Sequence, residues 1–116
     1  MPSAGSYLVK LITFHPDADA EITEAALYYE VHKPGLGSDF LGEVERGLDL
    51  ISANPEGSQR IARRVRSKPL WRFPYNLIYA VYPDRIRIVA CAHQKRRPFY
   101  WRSRLKDKDE REGPIG

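Results

Sequence analysis

The sequence predicts an α+β domain: an N-terminal strand, an antiparallel helical hairpin, and a mostly antiparallel sheet of about four strands, in the order β-α-α-β-β-β. Three observations carry this. A β-branched run, SYLVKLITF, opens the chain. Two segments of helical period follow, separated only by Pro34-Gly35-Leu36-Gly37. After Gly57 the apolar period shortens to two residues and stays there.

SYLVKLITF reads as a strand from Tyr7 to Phe14 at the widest. In HPDADAEITEAALYYEVHK, Ala18, Ile22, Ala25 and Tyr29 form one helical stripe, and Pro16 suits the first turn because its missing N–H costs nothing there. Asp17, Asp19 and Glu21 crowd the positive end of the helix dipole. With Glu24 and Glu30, Glu21 reads as part of a solvated acidic face. The second helix is expected to be capped by Ser38 or Asp39 and to bury Phe40, Val44, Leu48 and Ile51, with Leu41 and Leu50 widening the stripe. Asn54-Pro55 ends it. A connection of about four residues makes the two helices antiparallel neighbours.

RIARRVRS reads as a strand or an extended loop, and KPLWRF as a short strand closed by Pro74. NLIYAVY is apolar on both faces, Leu77, Tyr79 and Val81 opposite Ile78, Ala80 and Tyr82, which predicts a central strand. RIRIVACAH alternates: Ile86, Ile88, Ala90 and Ala92 face one way, and Arg85, Arg87, Val89, Cys91 and His93 the other. PFYWRSRL adds a last turn, in which Trp101 is expected to plug the edge of the core. The domain is expected over 7–105, with a flexible N-terminus at 1–6 and a flexible charged tail at 106–116.

Composition narrows the function classes. The 116 residues are 42% hydrophobic, enough for one modest core. The longest apolar runs fall far short of the roughly 20 residues of a spanning helix, and no secretory signal is visible, so no membrane role is expected. One cysteine, Cys91, fits a reducing compartment and a cytoplasmic location, and reads as a small buried hydrophobe rather than a nucleophile. His15, His32 and His93 show no metal-ligand spacing, so neither a metal nor a cofactor is expected. Charge is divided sharply. Residues 1–59 carry −7, residues 60–104 carry +12 and residues 105–116 carry −1, within a total of +4. A segment as basic as 60–104 predicts an anionic partner, nucleic acid or acidic protein.

Five pieces in fixed order carry a family resemblance: FHPDA at 14–18, the Tyr28-Tyr29 pair, Asn54-Pro55, FPYNLIY at 73–79, and IRIVACAHQKRRPFYWRSR at 86–104. The chain resembles the RelE/ParE toxin superfamily of type II toxin–antitoxin systems, and its ParE-like branch most closely. The resemblance implies a small toxin, encoded beside a cognate antitoxin that neutralises it. ParE-like members act on DNA gyrase by binding. RelE-like members cleave messenger RNA in the ribosome, which needs an acid or base and cations around the phosphate. A third alternative is a non-toxic member that acts only in complex formation.

On the ribonuclease alternative the catalytic set would be His93, Arg72, Arg96, Arg97 and Tyr100. Against it, Asn76 stands where RNA-cleaving relatives commonly place a basic residue, and His93 and its arginines are mostly consecutive, so neighbours point apart. On the favoured alternative no residue is catalytic. Arg96, Arg97, Tyr100, Arg102 and Arg104 would contact the target. Arg63, Arg64, Arg66, Arg72, Arg85 and Arg87 would receive an acidic C-terminal segment of the antitoxin, which folds on contact. A homodimer or toxin–antitoxin hetero-oligomer is compatible with either.

Overall fold

The structure, a computed structural model, describes residues 10–106. The expected N-terminus at 1–6, the first residues of the expected opening strand and, apart from Lys106, the expected tail at 106–116 lie outside the described residues. Strand β1 (Leu11–Phe14) leads into helix α1 (Pro16–His32) and helix α2 (Leu36–Ala53), followed by a 3-10 turn at Pro55–Gly57. Strands β2 (Gln59–Ala62), β3 (Val65–Pro69), β4 (Tyr75–Val81) and β5 (Arg85–His93) complete the sheet, and a 3-10 turn at Arg102–Lys106 follows. The α+β class holds, but the sheet has five strands rather than about four, in the order β1-β5-β4-β3-β2. β1 runs parallel to β5, and every other pair is antiparallel. The additional strand comes from the arginine-rich stretch, which folds as a hairpin turning at Arg63-Arg64, with Arg64 in left-handed backbone (φ 53°). KPLWRF is no strand of its own. β3 ends at Pro69, which has no N–H to continue a ladder, and 70–74 is a loop.

α1 is capped by the His15 side chain, whose Nδ1 accepts from the Asp17 N–H at 3.0 Å, and buries Ala18, Ile22, Ala25 and Ala26. α2 begins earlier than expected, after Gly35 in left-handed backbone (φ 91°). Neither Ser38 nor Asp39 caps it. Glu30 does, accepting from the Gly35 and Gly37 N–H groups at 3.0–3.1 Å, because the three-residue connection folds the end of α1 against the start of α2. The helices touch so closely at Gly37 that a Cβ there would lie 2.5 Å from the Ala26 carbonyl oxygen. Leu41 and Leu50 do not widen the buried stripe; both are exposed, and Gly37, Glu43 and Gly47 are buried instead.

Apolar side chains cover both faces of the sheet. Phe40, Val44 and Ile51 of α2 and the α1 stripe pack on Leu77, Tyr79, Ile86, Ile88 and Cys91. On the opposite face Val65, Ile78, Ala80, Tyr82, Val89, Ala90 and Ala92 cluster with Trp101. β4 is central and divides its side chains as its alternation predicts. β5 does not. Its register with β4 slips between Ile78 and Tyr79, so that Val89 is an extra, bulged residue. Ile86 and Ile88 therefore face the helices, and beyond the bulge the phase inverts: Ala90 and Ala92 face away while Cys91 faces the helices. His93 follows Cys91, and the expected common face with Arg85 and Arg87 is lost.

Candidate functional site

The stretch AHQKRRPFYW turns back at the end of β5. His93 pairs in register with Tyr75 of β4, and the two rings meet edge to face with centroids 5.0 Å apart. The turn closes through Gln94 N–H to Pro74 O (2.8 Å) and Arg96 N–H to His93 O (2.9 Å). The His93 Nδ1 accepts from the Lys95 N–H at 3.0 Å, so the proton of the neutral ring sits on Nε2. Pro98 and Phe99, the latter at φ 60°, then reverse the chain and deliver Tyr100 and Trp101 to the sheet. Trp101 is buried in the second apolar cluster.

His93 and Arg96 form a crest between two clefts. The larger, about 300 Å³, lies on the side away from the helices and is lined by Ser67, Asn76, Gln94, Arg97 and Tyr100 in addition to the crest. The smaller, about 230 Å³, lies on the helix side between Glu24, Tyr28, Tyr75 and Cys91. The Arg96 guanidinium sits 3.8 Å from the centre of the Tyr100 ring, a cation–π contact that holds the charge at the mouth of both clefts. Along the floor of the larger cleft, Gln94 Nε2 donates to Asn76 Oδ1 and Asn76 Nδ2 donates to Ser67 Oγ, each at 3.1 Å. Asn76 thus serves as a neutral bridge from β3 to the end of β5.

Behind the crest lies a buried ion pair. Arg104 donates to both oxygens of Glu21, at 2.8 and 3.0 Å, and also to Val89 O at 3.1 Å. Glu21 further accepts from the Cys91 N–H (3.0 Å) and the Tyr100 hydroxyl (2.9 Å). β1 ends beside Ile88, so the edge of β5 beyond it would be unpaired. Glu21 and Arg104 take up its amide and carbonyl as a neighbouring strand would. Burial pushes the Glu21 carboxyl up, but the Arg104 guanidinium, the Cys91 amide and the Tyr100 hydroxyl outweigh it and hold the group below its ordinary range. The Tyr100 hydroxyl is pushed up by burial and by its bond to the Glu21 carboxylate.

The predicted arginines are dispersed. Arg96 and Arg97 line the larger cleft, and Arg102 lies 4.9 Å from the Phe99 ring centre. Arg104 is engaged in the fold. Arg64 and Arg85 approach the Tyr82 ring at 4.9 and 4.3 Å, at the other end of the sheet, with the exposed Arg63 beside them. Arg87 reaches Thr13 Oγ1 at 3.4 Å. Arg66 donates to the carbonyls of Glu56 and Ser58. Arg72 turns toward the hairpin, 3.6 Å from Asp39. Sequence reasoning missed Glu21 and Glu30, assigning both to a solvated face. The signal for Glu21 was its place three residues after Ala18 and four before Ala25, on the buried stripe.

The sequence matches the family described as "ParE toxin of type II toxin-antitoxin system, parDE" over residues 12–98. The chain belongs to the ParE toxin family. Of the solved structures, one chain of a chromosomal ParDE toxin–antitoxin system from P. aeruginosa superposes with a TM-score of 0.64 at 17% identity, covering 73% of this chain and 96% of that one. At that identity the likeness shows the shared fold. A search of curated proteins finds no match. This ParE-family chain is thus a toxin of the type II toxin–antitoxin class. No helix among its described residues is long and apolar enough to cross a membrane. Among those residues no group of three or more His, Cys, Asp or Glu is placed to hold a metal ion.

Proposed function

We propose that this ParE-family toxin inhibits an essential target, DNA gyrase, by binding it through the crest at the end of β5, and that a cognate antitoxin neutralises it with an acidic segment. The observation that carries the reading is the grouping of Arg96, Arg97 and Arg102 around the turn formed by the exposed Phe99 and the half-buried Tyr100, on a base locked by Glu21 and Arg104. Arginine and aromatic side chains on a rigid support are the anchors that dominate binding energy at interfaces. The geometry favours binding over RNA cleavage. The His93 Nδ1 is already occupied by a main-chain donor, and Asn76 spends its carboxamide on Ser67 and Gln94, offering no charge to a phosphate. For the antitoxin, Arg63, Arg64, Arg85 and Arg87 supply charge at the Tyr82 end, Arg96 and Arg97 at the His93 end. Arg66 and Arg72 contribute field rather than direct contact.

The test is induction of the chain alone in cells, beside the variant Arg96→Ala/Arg97→Ala/Arg102→Ala with Arg104 retained. Growth arrest with DNA breaks and an SOS response, lost in the variant at equal soluble level, is the expected result. Codon-phased cuts in messenger RNA would replace this reading with the ribonuclease one. Undiminished killing by the variant would remove the crest from the mechanism.

A further inference from the structure

The two clefts beside the crest differ in charge. The lining of the larger one carries Arg96 and Arg97 and no carboxylate, whereas the smaller one sets Glu21 and Glu24 beside Arg96. Glu21, which accepts from the Tyr100 hydroxyl, is already matched by Arg104. The neutral polar groups of the larger cleft run in one direction as well. Gln94 Nε2 donates to Asn76 Oδ1 and Asn76 Nδ2 donates to Ser67 Oγ, which leaves the Ser67 hydroxyl proton as the end of the relay. With its Nδ1 accepting from the Lys95 N–H, His93 keeps a proton on Nε2. Beneath these donors the floor is apolar: Ile78, Ala92 and Trp101 are buried, and Ile61 packs against them partly buried.

We propose that the larger cleft receives the C-terminal residue of a partner polypeptide, its carboxylate held by Arg96 and Arg97 and its aliphatic side chain lying on Ile61, Ile78 and Trp101. A guanidinium fork matches a carboxylate, and such charge-assisted bonds are roughly twice as strong as neutral ones. Donors and apolar floor share about 300 Å³, the small end of ligand clefts, so the occupant must bring its anionic and apolar groups close together. A C-terminal residue carries both on a single Cα. An internal Asp or Glu brings the charge without the apolar body. A nucleotide brings a base, which is ordinarily held by stacking on an open ring face. Here the Tyr100 ring already has Arg96 at 3.8 Å and Arg104 at 5.1 Å, and the Phe99 ring has Arg102 at 4.9 Å and the Trp101 ring at 5.3 Å. The cleft is part of the crest, so this inference rests on the crest's being a binding surface and names what a partner offers there.

The experiment titrates the purified full chain with N-acetyl-leucine and follows both indole N–H signals by NMR, assigned through Trp71→Phe. Trp101 lies in the floor of the cleft, and Trp71, exposed on the loop after β3, is the internal reference. Saturable movement of the Trp101 signal alone is expected. Binding should be at least about tenfold weaker for N-acetyl-leucinamide, which lacks the carboxylate, and for Arg97→Ala. Equal binding of the amide would reduce the cleft to an apolar hollow. Tighter binding of acetyl-Asp-amide would assign it to an internal acidic side chain, and tighter binding of adenosine monophosphate to a nucleotide. Each of these, like movement of both signals or of neither, overturns the proposal. Neither gyrase nor antitoxin enters the measurement, so the cleft can fail here while the crest stands in the induction experiment.

Discussion

Replacing Glu21 with alanine should be among the most damaging single changes to this fold. Its side chain is 16% exposed and that of Arg104 13%, so truncation leaves a poorly solvated guanidinium with only the Val89 carbonyl at 3.1 Å and the more exposed Asp17 carboxylate at 3.7 Å. Breaking one side of a buried pair costs about 3–5 kcal/mol, and the Cys91 amide and Tyr100 hydroxyl lose their acceptor as well. Against a total stability of roughly 5–15 kcal/mol for a domain of this size, Glu21→Ala should remove a large fraction of the whole. Urea titrations followed by far-UV circular dichroism measure this directly. Glu21→Ala/Arg104→Met should recover part of the loss, because removing both charges leaves neither uncompensated, with a coupling of about 2 kcal/mol in the double-mutant cycle. A cost for Glu21→Ala within about 0.5 kcal/mol, the range of an ordinary surface change, would refute the argument, as would strict additivity of the two mutations.

Three further outcomes follow from the same geometry. The folded Glu21 carboxyl lies below its ordinary value of 4.5. Its contribution is therefore complete above that value and is lost as pH falls through the folded one; Glu21→Gln should flatten the acid limb of a stability-versus-pH curve. Burial, and then the charge of Glu21, push the Cys91 thiol up to about 12, so a disulfide-exchange reagent at mild alkaline pH should leave the native protein unmodified and label it only in denaturant. Two glycines of α2 should behave oppositely: Gly37→Ala, whose Cβ would meet the Ala26 carbonyl oxygen at 2.5 Å, should lose about 1 kcal/mol or more, while Gly42→Ala, with open space around the added atom, should gain about 0.5–1 kcal/mol. Thermal melts of the two variants decide it.

The elements most legible in the sequence were those whose period reflects one interaction. Ala18, Ile22 and Ala25 repeat at helical spacing because they meet one sheet face, and NLIYAVY is apolar from Leu77 onward because β4 is covered on both faces. The less legible elements answer to several demands at once. RIARRVRS carries so many exposed cations that alternation is weak, and it folds as a hairpin through an arginine in left-handed backbone. The start of α2 was misread because its cap is Glu30, supplied by the other helix. Leu41 and Leu50 have the right spacing but stand on flanks that no other element among the described residues covers, and both stay about half exposed. At the site, the arginines are legible as a charge run and their partners are not. Arg104 and Arg102 look alike in the sequence, and only the fold shows one bound to Glu21 and the other lying over Phe99.

The bulge at Val89 explains more of this site than any residue chosen for its chemistry. Without it, strict alternation would carry His93 to the face of Arg85 and Arg87. With it, His93 continues the phase of Cys91 and becomes, with Arg96, the wall common to both clefts. The bulge also alters the free edge of β5. Ile88 O is taken by the His15 N–H and Val89 O by Arg104, so two successive carbonyls serve partners outside the β4 ladder, which a regular strand cannot offer. Glu21 then reaches the Cys91 amide, and Arg104 ties the 99–105 segment to α1. The crest and the Glu21–Arg104 pair thus depend on one irregularity: a turn that carries Arg96, Arg97 and Arg102 is held by a neighbouring arginine that pairs beside the same bulge.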